Sequence, residues 1–173
     1  MSLLLRLKNR SLAALATALP SVGERLAAGY RAQREEGDVP WAPLRTPLAR
    51  ATIALVTTAG VHHRTQPPYD MHDPQGDPSF RELDLSLPLD SLTITHDYYD
   101  HRDADRDLNV VFPVERLREL AAAGEIGALA ARAYGFMGHI VGRHLETLKR
   151  STAPEVAARL KEARVDAVLL GPG

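Results

Sequence analysis

Seven consecutive residues, Thr52 to Thr58 (TIALVTT), constrain the fold of this chain more than any other stretch. They are β-branched or apolar on both faces, which is the pattern of a strand covered on each side, as in a parallel sheet. A second apolar run, Val165–Leu170, predicts another buried strand that leads into a Gly-Pro-Gly loop. Leu92–Thr95 predicts a third, shorter strand, and residues 109–112 predict a fourth or the lead-in to a helix.

Helical patterns flank these candidate strands. Apolar residues recur at three- and four-residue steps near the N-terminus and predict an amphipathic helix that ends at Pro20. Pro113 suits a first helical position, and Thr152 and Glu155 match a capping box. The predicted helices cover residues 2–18, 22–35, 114–124, 125–133, 142–149 and 152–162.

The order of these elements predicts an α/β fold. It has a small, at least partly parallel sheet with covering helices, resembles half of a doubly wound domain, and carries an N-terminal helical segment. We expect residues 1–46 to form that segment and a proline-rich connector anchored by Trp41, and residues 47–173 to form the α/β domain. Residues 64–91 are rich in Pro, Asp and Gly and predict a long ordered loop.

Composition narrows the function classes. The 173 residues carry 21 basic and 22 acidic side chains, so net charge gives no case for nucleic acid or an anionic membrane as a partner. The absence of cysteine excludes a disulfide framework and a cysteine nucleophile within these residues. Arg6, Lys8 and Arg10 interrupt the first apolar run, which predicts a cytoplasmic chain that does not span a membrane. Neither a dinucleotide fingerprint nor a P-loop is present.

The stretch from Leu92 to Pro113 is the densest in proton-transfer and metal-binding groups. His96 and Asp97 predict a tuned acid/base pair, because a nearby carboxylate favours the protonated ring. Alternatively, His96, Asp97 and His101 could converge on a metal ion, with waters completing the shell. In the purely structural interpretation, the acidic side chains only accept hydrogen bonds from the backbone of their own loop and cap the helix that begins near Pro113. A calcium loop is rejected, because the sequence lacks its required Gly and its final Glu.

The loop after the first strand, which contains His62, is a plausible site wall. Ligands in open α/β sheets bind outside the carboxyl ends of the strands. His139 and His144 are interpreted as packing or surface residues. Gly135, Gly138 and Gly142 are interpreted as parts of tight loops.

Four blocks of the sequence together carry a resemblance to a known family. They are ALVTTAGVHHRTQPPYDMHDPQGDPSFREL, THDYYDHRDADRDLNVVFPVERLREL, EIGALAARAYGFMGHI and APEVAARLKEARVDAVLLGPG. In this order they resemble the selenoprotein B family of glycine, sarcosine, betaine and D-proline reductases, from about Pro47 to Gly173. Several ordered blocks are far more specific than one short motif.

The resemblance implies an oxidoreductase subunit that cleaves a carbon–nitrogen bond reductively, with disulfide as the acceptor. It implies a small amine or amino-acid substrate, other reductase subunits as partners, and a selenocysteine or cysteine nucleophile directly after the loop that ends at Gly173. We expect His96, Asp97 and His101 to be catalytic. The predicted substrate-binding residues are His62, Tyr99, Asp103, Asp105, Gly171 and Gly173.

The expected nucleophile is missing from the sequence, so the chain by itself is expected to be inactive. We therefore expect the 173 residues to be a truncation at a UGA codon read as a stop. The competing hypotheses are a metal- or small-molecule-binding domain that uses the His/Asp loop, and a non-catalytic assembly subunit. A strand left uncovered at the end of the chain further predicts a homo-oligomer that buries this region.

Overall fold

The computed structural model describes residues 3–29 and 42–172. It confirms a mixed α/β fold with a curled, largely parallel sheet and an N-terminal helix. The predicted Trp41 anchor, the end of the second predicted helix and Gly173 lie outside the described residues. None of the helices described is long and apolar enough to cross a bilayer.

The chain begins with two helices and then alternates between strands and helices. The helices are α1 (Leu3–Ala18), α2 (Pro20–Gly29), α3 (Val114–Ala122), α4 (Arg143–Thr147) and α5 (Ala153–Glu162). The strands are β1 (Thr52–Thr57), β2 (Val61–His63), β3 (Phe80–Asp84), β4 (Leu92–Ile94), β5 (Ala128–Leu129), β6 (Arg132–Phe136) and β7 (Ala167–Gly171). A π-helical turn, Leu148–Thr152, joins α4 to α5 without a break.

Strand β1 is the centre of the larger sheet. It pairs in parallel with β5 and β6 along one edge and with β7 along the other, and β3 adds to β6 in antiparallel orientation. Five of the six residues of β1 are buried, as its apolar sequence predicts. Strands β2 and β4 form a separate antiparallel pair. Because β1, β6 and β7 run in the same direction, their carboxyl ends meet at one edge of the sheet.

The main core packs against one face of this sheet. It combines residues of β1 with Phe112, Val114 and Leu117 at the start of α3. The prediction of a helix led in by Pro113 is correct in substance, although Pro113 is the residue that precedes α3. The helix ends before Gly124, which has a φ of +75°, the conformation in which glycine commonly terminates helices.

Four local predictions are wrong. Residues 125–133 form β5 and the start of β6 and not a helix. The predicted loops contain strands β2 and β3. Thr152 caps nothing, because it lies inside the continuous helix and its hydroxyl has no partner among the described residues. Strand β7 is not buried, since Leu170 is 69% exposed.

Candidate functional site at the carboxyl edge of the sheet

Backbone hydrogen bonds hold the carboxyl ends of the three parallel strands together. The Thr58 N–H, just after β1, donates to Gly171 O at the end of β7 over 2.9 Å. The Gly60 N–H donates to Phe136 O, the last residue of β6, over 2.9 Å. Residues leaving different strands are thereby brought to one place, which is where open α/β sheets bind ligands.

His96 lies at this edge, two residues after β4, and is only 4% exposed. The backbone N–H of Tyr98 donates to its Nδ1 over 3.1 Å. In the neutral ring the proton is therefore on Nε2, because Nδ1 is occupied as an acceptor. Nε2 has no hydrogen-bond partner within the described part of the chain. The site thus contains a buried N–H donor that nothing described satisfies.

The imidazole of His96 is held in its neutral form. Its pKa is lowered from 6.5 to about 4, mainly by burial and to a lesser extent by His139 and His101, while Asp97 opposes them. This outcome differs from the sequence prediction that Asp97 tunes the ring towards physiological pH. Desolvation outweighs the carboxylate here because the ring is almost fully enclosed.

The carboxylate of Asp97 is directed towards α1 and is bound by an arginine. Arg6 donates from Nε to one Asp97 oxygen over 2.5 Å and from Nη2 to the other over 3.3 Å. The side chain of Asp97 is 6% exposed. A two-point contact of this kind fixes both groups. Asp97 therefore anchors the first helix beside His96.

Aromatic rings surround His96. Tyr99 contacts it edge to face at a centroid distance of 4.8 Å, and the hydroxyl of Tyr99 donates to Ala59 O over 3.1 Å. On its other side Tyr99 contacts His101 at 5.6 Å. The ring of Tyr98 lies 5.9 Å from that of His96 and stacks on His139 at 3.9 Å. His96, Tyr99 and His101 therefore form one continuous cluster.

The acidic residues further along the loop pair with other residues of the same loop. Asp105 accepts from His101 Nδ1 over 2.8 Å with its side chain 51% exposed, and Asp103 pairs with Arg106 and is 81% exposed. Asp100 pairs with Arg102, whose hydrogen bond lowers the pKa of Asp100 to about 2. These contacts match the purely structural interpretation, in which the polar groups of the loop form hydrogen bonds and ion pairs with one another. A cavity of about 200 Å³ separates this part of the loop from α1.

Two further residues predicted to bind substrate, His62 and Gly171, lie in different surroundings. Both ring nitrogens of His62 are occupied, with Nδ1 donating to His63 O and Nε2 accepting from Thr95 Oγ1, each over 2.8 Å. Burial lowers its pKa, so it resembles a structural core histidine. Gly171 lies directly at the strand edge, where an added Cβ would stand 2.7 Å from Val111 O. Gly171 is linked to the strand edge through Thr58, whose N–H donates to its carbonyl.

Two residues that sequence reasoning did not select complete the site. A Cβ built on Gly138 would lie 3.5 Å from His96 Nε2, 3.5 Å from Thr58 Oγ1 and 3.0 Å from Thr58 O. Thr58 directly follows β1, and Gly138 follows β6 after one residue. Residues just beyond the carboxyl ends of parallel strands are candidates for ligand binding, so this position could have identified both of them from the sequence. The same edge opens onto an apolar cavity of about 460 Å³ that Thr58, Met137 and Gly138 help to line.

A metal centre has no ligand set in the described residues. Within 3–29 and 42–172, no group of three His, Asp or Glu side chains is arranged to hold an ion. His96 and Asp97 in particular are committed to other partners through Nδ1 and through Arg6. The metal alternative built on His96, Asp97 and His101 therefore draws no support from this arrangement.

Comparison with known proteins gives a consistent family. A sequence model described as glycine/sarcosine/betaine reductase selenoprotein B matches residues 23–172. The chain is 39% identical to D-proline reductase subunit gamma of Acetoanaerobium sticklandii over 133 residues, which cover 77% of this chain and 53% of that protein. It is 33% identical to the glycine reductase complex component B subunit gamma of Carboxydothermus hydrogenoformans over 136 residues, covering 76% and 30%.

A third relative agrees with these two. The glycine reductase complex component B subunit gamma of Symbiobacterium thermophilum is 33% identical over 135 residues, which cover 76% of this chain and 30% of that protein. The chain therefore spans about half the length of the first of these relatives and under a third of the other two. No solved structure matches significantly.

Proposed function

The chain belongs to the glycine/sarcosine/betaine reductase selenoprotein B family, and from that membership we propose that it is a subunit, or part of one, of an amino-acid reductase. The reaction is the reductive cleavage of a carbon–nitrogen bond. Two electrons and two protons replace that bond by a C–H and an N–H bond, and a selenol or thiol system is oxidised to the disulfide level. The observation that carries the proposal is the family match, because residues 23–172 include the whole strand edge around His96.

In this proposal the nucleophile comes from outside the 173 residues, since the sequence has no cysteine. The family resemblance implies a chalcogen that follows the strand equivalent to β7. Strand β7 ends at Gly171, whose carbonyl accepts from the Thr58 N–H, so the proposal puts the chalcogen at the carboxyl edge of the sheet. His96, Thr58 and Gly138 then form the wall that the substrate faces, and the chain alone performs no redox chemistry.

We propose D-proline or a similar cyclic amino acid as the first substrate to test. The higher identity to the D-proline reductase subunit, and the greater share of that relative covered, support this choice over glycine. The apolar lining next to Gly138 also supports it, because Met137 and Ile140 offer surface to a ring that glycine lacks. Glycine, sarcosine and betaine are the comparison substrates.

We propose further subunits as partners and the cytoplasm as the location. The relatives named above are subunits of reductases, which supports the first point. A selenol or thiol that is reduced after each turnover needs a reducing compartment, which supports the second.

The test is reconstitution of the reductase. The coding sequence extended to the length of the D-proline reductase relative is co-expressed with its companion subunits, and dithiol-dependent consumption of D-proline and glycine is measured. We expect D-proline to be reduced, and we expect His96→Phe to abolish turnover while His72→Gln, at an exposed position, leaves it unchanged. If no amine substrate is reduced although the complex assembles, the chain is an assembly subunit and the proposal is wrong.

A further inference from the structure

Two segments that are distant in sequence are joined beside His96. Residues 69–77, which we call the clamp loop, contact residues 137–144, the segment that leaves β6. His139 Nε2 donates to Pro74 O over 3.0 Å, and the Val141 N–H donates to Gln75 O over 3.0 Å. Because a carbonyl oxygen only accepts, Nε2 of His139 carries the ring proton. The clamp loop therefore holds both the backbone of this segment and the His139 ring.

Further contacts close the junction on both sides. The Asp73 carboxylate accepts from Arg143 and, over 3.0 Å, from His144 Nε2. Gly76 has a φ of +87°, and a Cβ built on it would stand 1.6 Å from His139 O. Only glycine permits so close an approach of the two backbones. The position of His139 is thus determined by the clamp loop as well as by its own neighbours in the chain.

Tyr98 lies between the two segments. Its ring stacks on that of His139 at a centroid distance of 3.9 Å and an interplanar angle of 18°. It also packs against a small buried cluster of Tyr69 and Met71 from the clamp loop and Met137 from the other segment. The Tyr98 side chain is therefore held by both segments at once.

The backbone of Tyr98 connects this junction to His96. Its N–H donates to His96 Nδ1 over 3.1 Å, which leaves the ring proton on Nε2. The two rings also meet edge to face at 5.9 Å. Side-chain torsions are restricted to a few rotamers, so a ring held in place restricts the backbone that carries it.

We infer that His139 is a positioning residue, which together with the clamp loop holds Tyr98 so that His96 keeps its proton on Nε2. The inference rests on the proposed function only in taking His96 as a residue of the reductase site. In the competing interpretation, the contact between Tyr98 and His96 forms on its own, because the residues are two apart in sequence, and His139 only packs. The two interpretations predict different states of the His96 ring once His139 is changed.

Nitrogen NMR of the whole chain labelled with ¹⁵N-histidine tests the inference, because ring shifts distinguish an N–H from a bare nitrogen. At pH 7.5, well above the pKa of His96, we expect His96 to show the Nε2–H tautomer alone. His72, which is exposed, should show two exchanging tautomers and serves as the internal reference. His139→Ala should raise the Nδ1–H fraction of His96 about 10-fold, the effect of losing one hydrogen bond. His139→Phe keeps a flat ring against Tyr98 and should restore the single tautomer.

A second pair of variants acts on His139 through the backbone. Gly76→Ala must displace His139 O, so it should change the His96 spectrum in the same direction as His139→Ala. Gly124 also has a positive φ, +75°, but a Cβ built on it meets nothing within 4 Å. Gly124→Ala is therefore the matched control and should leave the His96 spectrum unchanged. This pair decides the question even where His139→Ala folds poorly.

The inference is overturned if His96 keeps a single tautomer in both His139→Ala and Gly76→Ala, or if His139→Phe behaves like His139→Ala. Turnover of the reconstituted reductase adds a separate readout. We expect His139→Ala to lower kcat at least about 10-fold with little change in KM, and His139→Phe to restore it. An unchanged kcat despite an altered tautomer would remove the positioning role. A complex that reduces nothing, while the spectra change as expected, would remove the proposed function and keep the role of His139.

Discussion

Arg6 in the first helix and Asp97 beside the buried His96 are joined by a two-point ion pair across 91 residues of sequence, with Nε at 2.5 Å from one carboxylate oxygen. The hydrogen bond that Arg6 donates to Asp97 raises the pKa of Arg6. The polar face of α1 is thus turned towards the site, while Leu4, Leu7 and Leu15 are exposed. This ion pair attaches the helix to the site through charge.

Breaking this ion pair should loosen α1. Arg6→Gln leaves the buried Asp97 carboxylate without its cation, so we expect a loss of about 1–3 kcal/mol in the free energy of unfolding. Arg10→Gln changes an exposed arginine one turn further along the same helix and should cost less than about 0.5 kcal/mol. Urea unfolding measures both. Equal effects of the two variants would mean that the Arg6 contact contributes nothing in solution.

Acid should destabilise the protein through His96. Its pKa is about 4 in the folded chain against an ordinary 6.5, so between these values the unfolded chain binds a proton that the folded chain does not. Stability contributed by the neutral ring is therefore complete above pH 6.5 and decreases as the pH falls towards 4. From pH 7.5 to pH 5 the loss should be about 2 kcal/mol.

His96→Gln removes this titration, so its unfolding free energy should depend less on pH over the same interval. His62 and His63, whose pKa values burial also lowers, remain in both proteins and account for the rest of the dependence. Chemical unfolding at pH 5 and pH 7.5 supplies the comparison. The same slope in both proteins would show that His96 is not held neutral.

The sequence predicts an element correctly where the residues of that segment alone determine its structure. The β1 strand was predicted because its residues are apolar on both faces, and α3 was predicted from Pro113, its apolar spacing and Gly124. The density of ionisable groups points to the stretch around His96, and the catalytic role of that stretch stays a prediction. In each case the determining residues are neighbours in the chain, so local propensity and the final fold agree.

The sequence predictions fail where contacts between distant segments determine the structure. Residues 125–133 are rich in alanine and favour a helix, yet Ala128 and Leu129 pair with β1, because tertiary pairing outweighs a weak propensity. The candidate site joins Thr58, His96 and Gly138 from three separate segments. Which nitrogen of His96 carries the proton depends on the Tyr98 N–H. No periodicity in the sequence encodes such a contact.

Gly60 should be intolerant of any side chain. It has a φ of +73°, and an added Cβ would lie 2.5 Å from the Thr95 carbonyl oxygen, which lies next to His96. Gly124 has a φ of +75° with nothing within 4 Å of such a Cβ. Gly60→Ala should therefore cost about 1–3 kcal/mol more than Gly124→Ala, since both variants strain the backbone but only the first also clashes. Thermal and urea unfolding test this, and equal costs would contradict the close approach.

The outer edge of β7 should mediate self-association. No strand of the described residues pairs with this edge, and Val168, Leu169 and Leu170 are 40%, 42% and 69% exposed. An apolar edge without charge or proline is a template for a second strand, and we expect a second copy of the chain to pair with it.

Leu170→Lys should weaken the dimer at least 10-fold in sedimentation experiments, because it places a charge on the edge. Leu120→Lys, at a leucine of α3 that is 42% exposed, is the matched control. A chain that stays monomeric at micromolar concentrations, or a Leu120→Lys effect of equal size, would rule out pairing through β7.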